Sequence, residues 1–143
     1  MKIIAVLFLT LLLGKGCEGQ TDQDLSNAKL EYSANSRGFY NTTVIENKTV
    51  SFTNTRDGKP VLSSLTEEQW KTVISEFQKV DLEEIPNLKA PTQKRFYDGA
   101  AMANLKITYK GKTYESQTFD HRFPPEKIKK IVNTILSFSK KEE

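Results

Sequence analysis

The chain has 143 residues, enough for one domain with a modest core. Its formal charge is +3, but Lys2 and Lys15 lie in a segment that reads as a targeting signal, and without them 19 basic residues face 18 acidic ones. That near-neutral balance, with no basic stripe interleaved with aromatics, argues against a nucleic-acid partner, and the aromatic content argues against a disordered chain.

Met1-Lys2 forms a short positive start, and Ile3 to Leu13 is an apolar run broken only by Thr10. Eleven residues are too few to cross a bilayer, which takes about 20, so residues 1–16 read as a signal peptide. Gly16-Cys17, with Leu12 and Leu13 upstream, resembles the lipobox of bacterial lipoproteins, although Gly14 and Lys15 depart from it. On that reading Cys17 is the lipid-attachment residue and anchors the chain to a membrane. The alternative is ordinary cleavage after Gly19, which would give a periplasmic or secreted product. Cys17 is the one cysteine, so no disulfide framework can form within the chain. Residues 17–29 read as a polar tether, residues 30–139 as a single domain and residues 140–143 as a charged tail.

Leu30 to Ala34 alternates apolar and polar residues and reads as a half-buried strand. After the turn cluster Asn35-Ser36-Arg37-Gly38, Phe39 to Glu46 reads as a second strand. Asn47-Lys48 turns the chain into a third, Thr49 to Thr53. Asp57-Gly58 signals a further turn, and Pro60 confines the next few residues to an edge or a loop. Two matches to the N-glycosylation pattern, at Asn41 and Asn47, have no meaning in a bacterial protein.

Leu65 to Val80 carries the best-specified helix. Thr66 and Gln69 form a capping box, Leu65 and Trp70 a hydrophobic staple, and Glu67 and Glu68 suit the positive end of the dipole. Trp70, Val73, Ile74, Phe77 and Val80 share one face, which packing on a sheet would bury. Pro86 is expected to stop the short turn after this helix.

Arg95-Phe96-Tyr97-Asp98-Gly99 is the most unusual stretch. Arg95 and Asp98 are placed to hold a polar ligand with Tyr97 stacked on it. The competing reading is a long loop pinned to the core by Phe96, with Asp98-Gly99 as its turn. Leu105, Ile107 and Tyr109 then alternate with polar residues, Lys110-Gly111-Lys112 turns the chain, and Tyr114 to Phe119 returns as a partner strand. The last helix carries the stripe Ile128, Ile131, Val132, Ile135 and Leu136. His121, the one histidine, stands beside Asp120, but sequence neighbours point in different directions and no nucleophile is marked. One histidine does not make a metal cluster, and no cofactor or metal site is read.

The segments Glu31-Tyr32-Ser33, Arg37-Gly38-Phe39, Asn87 to Thr92 and Arg95 to Ala100 resemble those of small bacterial envelope proteins, many in the Bacteroidota. The resemblance implies an exported location and a compact α+β fold. It implies no activity.

The elements predict an α+β domain: an antiparallel sheet of about five strands, in the order β-β-β-α-β-β-α, with both helices on one face. The expected role is a non-enzymatic binding or structural module of the bacterial envelope, a partner for another envelope protein, held at a membrane by its lipid. The alternative is a small hydrolase or small-molecule site around Arg95, Tyr97, Asp98 and His121.

Overall fold

The computed structural model describes residues 27–139. The segment read as a signal peptide, Cys17, most of the residues read as a tether and those read as a charged tail lie outside the described residues. Among the described residues no helix is long and apolar enough to cross a membrane.

Among these residues seven strands form one antiparallel sheet: β1 Lys29–Ser36, β2 Phe39–Glu46, β3 Thr49–Thr53, β4 Val61–Ser64, β5 Met102–Tyr109, β6 Lys112–Glu115 and β7 Phe119–Asp120. The order is β4-β3-β2-β1-β5-β6, with β7 also paired to β5. Two α-helices, α1 Glu67–Gln78 and α2 Lys129–Ser137, pack on one face. The α+β class and the helix layer are as the sequence predicts, and the sheet has two more strands than expected.

Alternation decides the layers. Leu30, Tyr32 and Ala34 of β1, Ile45 of β2, Val50 of β3 and Ala103, Leu105 and Ile107 of β5 are buried. They meet Trp70, Val73, Ile74 and Phe77 of α1 and Ile131, Val132 and Ile135 of α2. The residues between them, such as Glu31, Ser33, Asn104 and Lys106, are only partly covered. The sheet thus has one dry face and one wetter, polar face.

The turns follow from backbone stereochemistry. Asn47 and Lys48, then Lys110 and Gly111, have φ of 51°, 65°, 51° and 79°. Two successive positive φ values are what a two-residue hairpin turn of the primed type requires. At α1 both halves of the capping box form, Gln69 N–H to Thr66 Oγ1 at 3.1 Å and Thr66 N–H to Gln69 Oε1 at 2.9 Å.

Four expectations need correction. The helix ends at Gln78, so Val80 packs on the core from beyond its end. Pro86 does not stop the turn after the helix: a 3-10 helix runs from Leu82 to Asn87 through it, because a proline φ suits that helix and one missing donor is cheap there. The strand expected from Tyr114 to Phe119 is broken into β6 and β7. At the break Ser116 donates its N–H to Leu105 O at 2.8 Å, but the Leu105 N–H goes to Ser116 Oγ at 2.9 Å, and a side chain thereby replaces the ladder carbonyl. Lastly, the expected count of about five strands omitted Val61–Ser64, which forms a strand on the edge of the sheet, one of the two places Pro60 allows, with all four residues exposed.

Candidate functional site

The end of the sheet where β1 meets β2 and β5 begins carries most of the unusual chemistry. Met102 pairs with Asp120 and with Asn35, so these residues lie at one level of the sheet. Directly opposed residues project on the same side, so Met102 and Asp120 both face away from the helices, while Ala103 and Phe119 face them.

Asp120 is nevertheless fully buried, at 0% exposure, because the segment 92–97 folds over it. Its Oδ2 accepts from the Thr92 hydroxyl at 2.5 Å and from the Lys94 N–H at 2.7 Å. Its Oδ1 accepts from the Arg95 N–H at 2.9 Å and from the Arg95 guanidinium at 3.1 Å. Arg95 also donates to Thr92 O at 2.9 Å and to Thr118 Oγ1 at 3.3 Å. Burial alone would raise the carboxyl above its usual pKa. The hydrogen bonds from Thr92, Arg95 and Lys94 outweigh it and hold the group at about 2. The site is a neutral, closed ion pair with its lone pairs satisfied, which is a structural brace.

The brace leaves its surroundings exposed. Lys94–Tyr97 is one turn of 3-10 helix, closed by Asp98 in the left-handed region at φ 61° and by the Gly99 N–H to Lys94 O bond of 2.8 Å. Phe96 is 67% exposed and Tyr97 70%. The Arg95 guanidinium lies 4.3 Å from the Phe96 ring centroid. Phe96 therefore does not pin the loop to the core. Arg95 and Thr92 do so, through Asp120. Beyond β7 a tight turn closes with Phe123 N–H to Asp120 O at 2.8 Å, and Arg122 sits at its third position with φ 75°, where glycine or asparagine is usual. Phe123, also exposed, carries the Lys94 ammonium 5.0 Å from its ring centroid.

His121 faces the opposite way from Asp120. Its ring packs on Tyr32 and Phe39, with centroids 5.8 and 5.1 Å away. The buried Tyr32 hydroxyl accepts from the Arg122 N–H at 3.4 Å and shares a hydrogen bond of 2.9 Å with His121 Nδ1. Burial, then the Arg122 charge, pushes His121 down to about 4. Burial pushes Tyr32 up to about 12, against the smaller opposing effect of Arg122.

Of the four candidates read from sequence, the structure joins Arg95 to the Asp120 brace and places Tyr97 and Asp98 beside it on the surface. Among the described residues no hydrogen bond or ion pair links Arg95, Tyr97, Asp98 and His121 to one another. Asp120, the last residue of β7, and His121, just beyond it, make separate contacts and form no acid/base pair. No group of three or more metal-ligating side chains occurs among the described residues. Thr92, Met102, Asp120 and Phe123 complete the arrangement and are absent from the sequence reading of the ligand site. The signal for Asp120 was weak, an acid just before a histidine, and its partners stand 25 to 28 residues away.

A groove of about 370 Å³ lies between the end of α1 and the start of α2, lined in part by Lys79, Val80, Lys127 and Ile131. Lys79 is paired with Glu76 at 3.3 Å and Lys127 with Glu84 at 2.8 Å, so two of its cations are already neutralised.

Comparisons of the chain with protein-family models, with curated proteins and with solved structures found no match.

Proposed function

We propose that this chain is a non-enzymatic binding module of the bacterial cell envelope, exported and held at a membrane through a lipid on Cys17. Its contact surface is the tip formed by Phe96, Tyr97, Asp98 and Phe123. One observation carries the reading: a fully buried, four-times hydrogen-bonded carboxylate fixes a loop whose aromatic rings point into solvent. A buried ion pair adds little net stability compared with apolar packing, so its use here is better explained by the geometry it imposes. A rigid loop presenting aromatics loses little conformational entropy on binding. Two non-glycine residues held at positive φ outside the hairpins, Asp98 and Arg122, belong to the same tip.

The hydrolase alternative draws support from the depressed His121 alone. That shift has a packing cause, the burial of the ring against Tyr32 and Phe39.

The test has two parts. Intact mass of the mature protein from membrane and soluble fractions should begin at Cys17 with added acyl chains; a soluble product beginning at Gln20 would overturn the anchor. The double variant Phe96→Ala, Tyr97→Ala should keep the wild-type melting curve and lose its envelope contacts, read by cross-linking in intact cells. Unchanged cross-links would move the contact surface elsewhere.

A further inference from the structure

We infer that the tip is a membrane-contact site that docks on an anionic lipid surface, Phe96, Tyr97 and Phe123 entering the interface while Lys94 and Arg122 meet the headgroups. The inference rests on the binding-module reading and names the surface that the module binds.

Three observations favour a bilayer. The first is composition. Four large apolar side chains, Phe96, Tyr97, Met102 and Phe123, are exposed by 67, 70, 43 and 47%, and two segments far apart in sequence bring them together around Asp120. Isolated exposed apolar residues are ordinary, but a group of them rimmed by polar residues marks an interaction surface. Aromatic rings with lysine and arginine at their edges are the composition that settles at a headgroup boundary.

The second is charge. Within residues 94–99 and 121–123, Lys94, Arg95 and Arg122 stand against Asp98 as the exposed acid. The Arg95 charge is compensated by Asp120, which leaves Lys94 and Arg122 as the cations able to face a ligand. Lys94 reaches across Phe123, so a headgroup meeting the ammonium sits beside the ring. Gly99 leaves room for this arrangement: a Cβ there would lie 3.2 Å from both Tyr97 Cε2 and the Lys94 carbonyl oxygen.

The third is reach. The tip lies at the Ser36 end of β1, whereas the chain arrives at the Lys29 end. Eight residues of strand separate the two ends by about 26 Å. A fully extended chain from Cys17 to Lys29 would span at most about 40 Å. A lipid on Cys17 and the tip at the far end therefore reach the same bilayer surface, and the domain would lie along the membrane rather than stand off it. The acyl chains on Cys17 would hold the domain at the membrane, and the tip, kept at a high effective concentration beside it, would set its orientation.

The experiment uses the chain from residue 17 onward with Cys17→Ser, so that neither the apolar leader nor an acyl chain contributes. It is sedimented with vesicles of phosphatidylcholine alone and of phosphatidylcholine with phosphatidylglycerol. Binding should appear with the anionic vesicles, fall as salt rises, and drop at least tenfold in the double variant Phe96→Ser, Tyr97→Ser, with the melting curve unchanged. Arg122→Gln, a change at an exposed side chain, should weaken anionic binding while the rings remain. No difference between the two vesicle types, or binding that survives the double variant, overturns the inference. A photo-cross-linker at position 96 in intact cells separates the two levels. Cross-links to a protein would overturn the lipid reading and leave the binding module standing. Absence of both vesicle binding and cross-links would remove both.

Discussion

Replacing Asp120 by asparagine tests the brace with the least change of shape. The native carboxylate accepts four hydrogen bonds, two at each oxygen, and all four donors are fixed by the segment 92–95. An asparagine offers one acceptor oxygen and an NH2 group. Whichever way it turns, the NH2 group faces two donors, either the Thr92 hydroxyl with the Lys94 amide or the Arg95 amide with its guanidinium. The hydroxyl can rotate, so the better orientation sets the NH2 toward Thr92 and still loses the Lys94 amide. It also leaves the Arg95 guanidinium, 6% exposed, without its counter-charge. The native preference for the charged form, a pKa lowered from 3.8 to about 2, corresponds to about 2 kcal/mol. Adding one unsatisfied amide gives an expected loss of about 3 kcal/mol for Asp120→Asn. Asp120→Ala, which strips all four acceptors, should lose about 4 kcal/mol. The double variant Asp120→Ala, Arg95→Ala should recover part of that loss, because the stranded cation goes with its partner. Urea unfolding followed by circular dichroism at pH 7 reads all three. A loss below about 0.5 kcal/mol for Asp120→Asn would show that the carboxylate does not hold the loop, and the preorganised tip would fall with it.

Acid should weaken the fold in two stages. His121 has a folded pKa near 4, below its ordinary value of 6.5, so the unfolded chain takes up the proton first and stability falls as pH drops from 6.5 toward 4. Asp120 is likewise depressed, and its contribution, complete above pH 3.8, is lost as pH falls toward 2; unfolding free energy against pH should show the upper stage vanish in His121→Gln. Tyr32→Phe removes the hydroxyl between His121 Nδ1 and the Arg122 amide and should cost about 1 kcal/mol in the same urea assay, with full stability retained only if that link is idle. Thr66→Ala should cost about 1 kcal/mol by breaking the capping box, seen as lower helical signal and melting temperature. Gly111→Ala, at φ 79°, should cost about 1 kcal/mol although a Cβ there meets nothing within 4 Å, which isolates backbone strain from crowding.

Local features were legible in the sequence and distant ones were not. The start of α1 was readable because Thr66, Gln69, Leu65 and Trp70 act within one turn. The buried rows of β1 and β5 were readable because the helices cover one face, which imposes a period of two. β4 gave no such signal, since Val61, Leu62, Ser63 and Ser64 are all exposed and nothing selects alternation. The break after Glu115 depends on the Ser116 hydroxyl meeting an amide on another strand. At the tip, Arg95, Tyr97 and Asp98 were read as one set because they are close in sequence. A single 3-10 turn sends Arg95 inward to Asp120 and leaves Tyr97 and Asp98 outside. The partner that matters stands on β7, beyond a whole hairpin.

The position of β1 sets how the domain carries a pull. The chain arrives at Lys29 and passes at once into the middle strand of the sheet, bonded to β2 along its full length and to β5 along all but its last residue. The tip lies at the other end of that strand. Tension between an attachment on the arriving chain and one at the tip runs lengthwise along β1. Both ladders then resist in shear, with their bonds loaded together, instead of parting one at a time as an edge strand would. A domain held at both ends in this way would yield last along the line on which it is pulled.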